Sequence, residues 1–236
     1  MTTPQLALEF ALRPAMGADD FLVADSNREA VVWLDRWPDW PAPALTLYGA
    51  AGRGKTHLAH VWRARVAGAG GEVRFLSEGD LAAALPPDLL RGARACIVEA
   101  VDRHAAGVPA AEKALFHLYN HLAEIGGHVL LTAATPPARW PLTLADLGSR
   151  LKAAPAVALA APDDALIAAV LVKLFADRQL RVGAEVVDYI VLRMERSLAA
   201  ARVLVAALDR AALADRRNIT VPLVREVLAA AAVEAQ

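Results

Sequence analysis

The sequence predicts an α/β fold with a parallel β-sheet, followed by an all-helical segment. Two observations support this prediction. In the first 160 residues, five short apolar segments alternate with helical patterns, which is typical of a parallel sheet covered by helices on both faces. After Pro162 only helical periodicity remains. The chain has 236 residues, of which 56 % are hydrophobic, so it can bury one large core or two modest ones.

The predicted elements follow in chain order. The candidate strands are 44–48, 72–76, 95–99, 128–133 and 156–160. Helices are clearest at 55–66 and at 110–125, where Leu115, Leu118 and Leu122 repeat at helical spacing. Four further helices are predicted, at 163–178, 184–194, 197–213 and 221–234. Asp163 can cap the first of these four helices, and Pro222 can open the last.

Composition excludes several classes of protein. The net charge of −1 provides no general attraction to nucleic acid. The apolar runs are shorter than the roughly 20 residues that span a bilayer, and the first residues do not resemble a secretory signal. The single cysteine, Cys96, fits a reducing compartment. We therefore expect a cytoplasmic protein without a membrane segment.

The strongest motif is GAAGRGKT, from Gly49 to Thr56, which matches the phosphate-binding pattern G-x-x-x-x-G-K-[ST]. It lies between a predicted strand and a predicted helix, where this mechanism needs it. Glycines let backbone amides face phosphate oxygens, and the start of the helix adds its partial positive charge. Lys55 would reach the terminal phosphates, and the Thr56 hydroxyl would bind Mg²⁺. The motif predicts binding of ADP or ATP and leaves open which of the two.

Longer stretches extend the pattern beyond a generic phosphate loop. DDFLVADSNREA and ALTLYGAAGRGKTHLAHVW resemble the AAA+ domain of the DnaA family of bacterial replication initiators. ALFHLYNHLAEIGGHVLLTAATPP, LADLGSRL and LDRAALADRRNITVPLVREVL are closer to the small Hda-type members, which take part in the regulatory inactivation of DnaA. The resemblance implies an AAA+ core with a five-stranded parallel sheet and a helical lid. It also implies association with the nucleoid and the replisome.

The resemblance implies a division of the chain into three parts. Residues 1–12 would be a flexible clamp-binding peptide, residues 13–161 the nucleotide-binding core, and residues 162–236 the helical lid. DnaA itself continues into a helix-turn-helix that reads origin sites, and this sequence leaves no room for one after the lid. We therefore expect no direct sequence-specific DNA binding.

The resemblance also assigns residues to the nucleotide site. Nucleotide contacts fall on Val23, Gly49, Gly52, Arg53, Gly54, Lys55, Thr56 and His57. Mg²⁺ contacts fall on Thr56 and Glu99. Three positions that are polar in active family members are alanine here: Ala100 replaces the second acid after the third strand, Ala134 replaces sensor I, and Ala199 replaces sensor II. Efficient ATP hydrolysis by the protein alone is therefore not expected.

Neighbouring side chains offer few replacements. Asp102 is expected on the opposite side of an extended chain from Glu99, since side chains alternate along a strand. Arg196 and Arg202 flank Ala199 at a distance of three residues. The cluster Trp33, Trp37 and Trp40 either covers the sheet or supports the adenine pocket. The histidines show no metal-binding spacing.

One catalytic feature of the family is retained. Within LADLGSRL, Arg150 occupies the place of the family's arginine finger, which acts on a nucleotide held by a partner. Such a finger can increase the rate of hydrolysis by about 10³–10⁵. The alternative is a surface arginine at the end of a short helix.

The first ten residues contain QLALEF, in which apolar residues alternate with others. Gln5, Leu6, Leu8 and Phe10 resemble the short peptide with which bacterial proteins bind the β sliding clamp of DNA polymerase III. Leu8 and Phe10 could enter an apolar cleft while Gln5 offers a directional amide. An edge strand and a self-association segment are the alternatives.

Three functions remain open from the sequence. The first is an activator that docks on the DNA-loaded clamp and presents Arg150 to ATP bound by DnaA. The second is an autonomous P-loop ATPase, such as a loader or remodeller. The third is a non-catalytic DnaA-binding scaffold, for which Arg150 would be dispensable. A homodimer is possible in each case.

Overall fold

The structure is a computed structural model that describes residues 12–13, 21–83, 85–215 and 217–234. The chain divides into two compact units. One contains Asn27–Ala160, and the other contains Leu22–Ser26 together with the segment that starts at Ala161. The three-part division of the chain stays a prediction, and its clamp-binding peptide ends at the first described residue.

The first unit is built around a five-stranded parallel sheet, as the sequence predicts. Two short strands precede it, β1 (Leu12–Arg13) and β2 (Phe21–Leu22), and they pair with each other. The strands of the main sheet are β3 (Ala44–Tyr48), β4 (Val73–Leu76), β5 (Ala95–Val98), β6 (His128–Ala133) and β7 (Ala156–Ala158). Their spatial order is β4-β5-β6-β3-β7, and every neighbouring pair is parallel.

The central strands are buried along their length. All four residues of β5 are buried, as are the last five of β6 and the first four of β3. Consecutive side chains of a strand point to opposite faces, so this pattern means that helices cover both faces of the sheet. The carboxyl ends of β3, β5 and β6 therefore meet at one edge, where the phosphate loop begins.

Eight helical segments of this unit are described. They are α1 (Arg28–Asp35), α2 (Lys55–Gly68), α3 (Glu78–Ala83), α4 (Pro86–Leu90), α5 (Val101–His104), α6 (Pro109–Ile125), a 3₁₀ turn (Pro137–Arg139) and α7 (Ala145–Ala153). The predicted helix at 110–125 is confirmed as α6, and its Leu115, Leu118 and Leu122 are buried as expected. The sequence did not reveal α1, α3, α4 or α5.

The second unit contains four helices, as predicted after Pro162. They are α8 (Asp164–Asp177), α9 (Ala184–Val191), α10 (Leu198–Asp215) and α11 (Val221–Glu234). Asp163 is confirmed as the N-cap of α8, since its Oδ1 accepts a hydrogen bond of 2.7 Å from the Leu166 amide. Ile167, Phe175 and Leu208 belong to a separate apolar core. No helix in the described ranges is long and apolar enough to cross a membrane.

The tryptophans cover the sheet at the end away from the phosphate loop. Trp40 stacks on Trp62 of α2 with 5.4 Å between ring centroids. Trp37 and Trp40 both contact His128, the first residue of β6, at 6.3 and 5.3 Å. Of the two roles considered for this cluster, covering the sheet is the one observed. The strand end at which the cluster lies is opposite to the one that carries the nucleotide motif.

Candidate functional site

The phosphate loop connects the end of β3 at Tyr48 to the start of α2 at Lys55. Gly52 and Gly54 have φ angles of +75° and +95°, a region that side chains with a Cβ rarely adopt. Gly49 has φ +152°, and a Cβ on it would lie 2.7 Å from the carbonyl oxygen of Leu159. The loop conformation therefore requires glycine at these positions, which explains the spacing of the motif.

The side chain of Lys55 lies over the phosphate loop and contacts its backbone. Its Nζ donates hydrogen bonds to the carbonyl oxygens of Gly49 (2.6 Å) and Ala50 (2.9 Å). Partial burial lowers the pKa of Lys55 below its ordinary value, and the Asp102 carboxylate opposes that shift. The ammonium group is thus held at the mouth of the loop, where a terminal phosphate of a bound nucleotide would lie.

Thr56 and Glu99 lie together, as the resemblance implies for a Mg²⁺ site. The Thr56 hydroxyl donates a hydrogen bond of 2.6 Å to Oε1 of Glu99, which follows β5. Mg²⁺ prefers such hard oxygen ligands and completes its octahedron with waters and nucleotide phosphates. The pair fits a Mg²⁺–nucleotide complex, although none of the described residues form a cluster of three or more metal-binding side chains.

The remaining nucleotide-site candidates have different placements. Arg53 Nη1 donates to the Leu159 carbonyl oxygen at 3.0 Å, so this side chain supports the base of the loop. His57 lies in the first turn of α2 and is half-buried. Val23 follows β2, is half-buried, and belongs to the second unit. Contact between these three side chains and a nucleotide stays a prediction.

The placement of Asp102 differs from the sequence prediction. The chain is not extended after β5, because Ala100 adopts φ +52° and ψ +41° and α5 begins at Val101. The amide of Ala100 donates a hydrogen bond of 3.1 Å to Oγ1 of Thr132, which fixes the turn. Asp102 therefore lines the same cavity as Glu99, and the prediction that it points away was wrong. A left-handed alanine leaves no sequence signal, since glycine is the usual residue there.

Asp102 holds the tip of β6. Its Oδ2 accepts hydrogen bonds from the amides of Ala134 (2.9 Å) and Thr135 (3.1 Å) and from the Thr135 hydroxyl (3.2 Å). Its Oδ1 is buried and has no hydrogen-bond partner among the residues that the structure describes. One carboxylate oxygen thus fixes the strand tip while the other is left to accept a further hydrogen bond.

These residues surround one cavity of about 220 Å³. Its lining combines the phosphate loop with the ends of β5 and β6: Ala51, Lys55, Thr56, Glu99, Ala100, Asp102, Arg103, Thr132, Ala133 and Ala134. Ala100 and Ala134, where the resemblance implies polar residues, both line it. Ala199 lies in the first turn of α10, in the second unit.

Arg150 is exposed on α7 and is ordered by aromatic rings of α6. Its guanidinium carbon lies 5.5 Å from the ring centroid of Phe116 and 5.7 Å from that of Tyr119. These distances are within the range of cation–π attraction. Within the described ranges the guanidinium forms no ion pair. Burial raises the pKa of Tyr119, and the charge of Arg150 opposes this.

The rings that hold Arg150 could have been noticed in the sequence. Phe116 and Tyr119 are three residues apart on a predicted helix and so share one face. The sequence does not show which helix they would face. The clamp-binding candidates Gln5, Leu6, Leu8 and Phe10 lie outside the described residues.

The five-stranded parallel sheet and the helices that follow it match the AAA+ fold with a helical lid, as predicted. Domain III of the Thermotoga maritima replication initiation protein DnaA has the same fold, with a TM-score of 0.79 and 17 % identity over 92 % of this chain and 97 % of that one. The replication initiator DnaA bound to AMPPCP and single-stranded DNA has a TM-score of 0.70 and is 17 % identical. That match covers 87 % of this chain and 69 % of that one. The Thermotoga maritima RuvB Holliday junction branch migration motor has a TM-score of 0.62 and is 18 % identical. That match covers 80 % of this chain and 61 % of that one.

The lid has a more specific relative. Residues 164–228 match the family model of the Hda lid domain. The resemblance to Hda and DnaA is thereby confirmed, over the lid by this family and over the core by the fold of DnaA domain III. The similarity to the Hda lid family therefore covers residues 164–228, and the similarity of the remaining chain to DnaA domain III is one of fold.

Proposed function

We propose that this protein regulates replication initiation by stimulating hydrolysis of ATP bound to DnaA. In this proposal it docks on the DNA-loaded β sliding clamp and offers Arg150 across an interface to the nucleotide of DnaA. DnaA is left in its ADP form and cannot initiate another round of replication. The Hda-type lid and the DnaA-like fold support the general assignment to replication control.

The observation that carries the proposal is the state of Arg150. Its guanidinium is exposed, ordered over Phe116 and Tyr119, and not neutralised by a carboxylate of the described residues. An arginine that stabilises charge on another protein's γ-phosphate needs these properties, because a finger acts by preorganised charge.

The nucleotide site supports the proposal in a second way. The phosphate loop, Lys55 and the Thr56–Glu99 pair are suited to hold ADP or ATP with Mg²⁺. A structural neighbour, DnaA, was solved bound to AMPPCP. Ala100 and Ala134 remove two polar groups from the cavity, and Ala199 replaces the sensor arginine. Binding without efficient turnover is the behaviour expected of a regulator that acts on a partner's nucleotide.

The clamp contact belongs to the same proposal. Gln5, Leu6, Leu8 and Phe10 would bind the clamp, which would confine stimulation to DNA that has just been replicated. A homodimer, if it forms, would have to leave Arg150 accessible to DnaA.

One observation favours the autonomous ATPase as a second candidate. Asp102 lines the nucleotide cavity, and its buried Oδ1 has no partner among the described residues. A carboxylate in that position could orient a hydrolytic water in place of the acid lost at Ala100. Fast ATP turnover by the isolated protein, abolished in Asp102→Asn, would establish this candidate.

The deciding experiment measures hydrolysis of ATP bound to DnaA, with clamp loaded on DNA. The variants are Arg150→Ala, the pair Leu8→Ala/Phe10→Ala, and Lys152→Ala as a matched control. Lys152 is an exposed cation of the same helix, two residues away and therefore on another face. We expect loss of stimulation in the Arg150 variant, loss of the clamp-dependent part of the stimulation in Leu8→Ala/Phe10→Ala, and wild-type rates in the control. Full stimulation by Arg150→Ala would refute the activator role of Arg150.

A further inference from the structure

Glu112, in the first turn of α6, is a buried carboxylate that the proposed mechanism does not use. It is 0 % exposed, and no other charged residue of the described chain is buried. Burying an ionised carboxylate is costly unless it is fully hydrogen-bonded. A residue retained at that cost needs a structural reason at this position.

The carboxylate of Glu112 receives five hydrogen bonds from two segments. Oε1 accepts from the amides of Gly107 (2.7 Å) and Thr143 (3.1 Å). Oε2 accepts from the Thr143 amide (2.9 Å), the Thr143 hydroxyl (2.7 Å) and the Leu144 amide (2.8 Å). Burial raises the pKa of Glu112, but these hydrogen bonds outweigh it and bring the pKa below its ordinary value. The group is therefore an anion throughout the neutral range.

The segment bound by Glu112 leads directly into the helix that carries Arg150. Leu144 is the N-cap of α7, and the carboxylate of Glu112 binds its amide. At the other end of α7, the Arg150 guanidinium lies over Phe116 and Tyr119 of α6. The two helices are thus joined at both ends of α7, once by a buried anion and once by two aromatic rings.

We propose that Glu112 is a positioning residue for Arg150: it fixes the start of α7 against α6, so that the guanidinium is held in one orientation over the rings. Glu112 does not touch Arg150 and acts only through the backbone of residues 143 and 144. The inference rests on the proposed function of Arg150. The sequence places Glu112 on the apolar stripe of α6 with Leu115 and Leu122, which indicates a buried position but not its partners.

The expected effect of substituting Glu112 follows from the need to place the Arg150 guanidinium accurately at the nucleotide. Misplacing a catalytic group by about 1 Å can reduce a rate by ~10²-fold. In Glu112→Gln the amide NH₂ would face the Thr143 and Leu144 donors, so at least one hydrogen bond is lost and the start of α7 is released. We expect Glu112→Gln to lower the maximal stimulated hydrolysis by about 10- to 100-fold. The concentration giving half-maximal stimulation should change less than about threefold, because the exposed surface of the protein is kept.

The test compares four full-length variants in the assay with DnaA-bound ATP and DNA-loaded clamp: Glu112→Gln, Thr143→Val, Arg150→Ala and Glu124→Gln. Glu124 is an exposed carboxylate on the same helix and serves as the control. Thr143→Val removes one donor to Glu112 and leaves the backbone amides, so it should fold even if Glu112→Gln does not. We expect it to reduce the maximal rate by about threefold to tenfold, with Glu124→Gln at the wild-type rate.

Amide hydrogen exchange gives a second readout that does not depend on DnaA. In Glu112→Gln and Thr143→Val, exchange at Thr143, Leu144 and Gly148 should accelerate while the phosphate loop is unchanged. Wild-type maximal rates in both variants, with Arg150→Ala inactive, would overturn the positioning role and leave the proposed function intact. Full activity of Arg150→Ala would refute the finger itself. Unchanged exchange would overturn the inference whatever the rates.

Discussion

Gly49→Ala tests the geometry of the phosphate loop most sharply. The Cβ of the new alanine would lie 2.7 Å from the Leu159 carbonyl oxygen. That oxygen also accepts from Arg53 Nη1, and the Leu159 amide donates to the Tyr48 carbonyl, so the acceptor is part of a rigid base. The substitution must push the loop away from the segment after β7.

The matched control is Gly70→Ala. Gly70 also has a positive φ, +79°, but a Cβ there meets nothing within 4 Å. Both variants share the strain of an alanine at positive φ, about 1 kcal/mol, and both gain from a less flexible unfolded chain. Only Gly49→Ala adds the overpacking cost of about 1–3 kcal/mol. Its free energy of unfolding should therefore be lower than that of Gly70→Ala by about 1–3 kcal/mol.

Urea unfolding followed by tryptophan fluorescence measures this difference, and a fluorescent ADP analogue measures nucleotide affinity. We expect Gly49→Ala to weaken nucleotide binding strongly, because the displaced Gly49 carbonyl also holds Lys55. Gly70→Ala should bind as the wild type does. Equal stability of the two variants, or normal binding by Gly49→Ala, would refute the described loop geometry.

Three further predictions concern single side chains. Asp102→Asn should lower the pKa of Lys55 further, because the Asp102 carboxylate opposes the effect of burial. NMR titration of labelled lysine measures this pKa. An unchanged pKa would count against an electrostatic interaction between the two side chains. Thr56→Val should raise the Mg²⁺ concentration needed for nucleotide binding by about tenfold without loss of fold, and Mg²⁺-independent binding in the wild type would contradict the site. Burial lowers the pKa of His128, so the folded state resists its protonation. The free energy of unfolding should therefore fall as the pH drops below about 6.5, and His128→Gln should remove part of that dependence in urea titrations.

Much of the fold could be predicted because its determinants are local. The strands of the main sheet are short apolar runs that can be recognised from the sequence. Nearly all positions of β3, β5 and β6 are buried, so few polar residues interrupt these runs. The fifth strand was predicted over 156–160 and is confirmed at Ala156–Ala158. The short helices α3, α4 and α5 were missed, since four to six residues show too little periodicity to be recognised.

The site was predictable only where a motif fixes it. The loop from Gly49 to Thr56 follows from the spacing of its motif, and Glu99 from the family resemblance. The structure brings the Thr56 hydroxyl to 2.6 Å from Oε1 of Glu99. The position of Asp102 depends on a left-handed alanine that no pattern indicates. The roles of Glu112 and Phe116 depend on contacts with residues 30 or more positions away, which one sequence does not reveal.

The most direct test of the central claim is the single-turnover rate of hydrolysis of ATP held by DnaA, with clamp loaded on DNA and the regulator in excess. Wild type and Lys152→Ala should give the same rate. Arg150→Ala should be slower by about 10³-fold or more, the range expected for removal of an arginine finger. Equal rates for wild type and Arg150→Ala would contradict the proposal that this protein acts through Arg150.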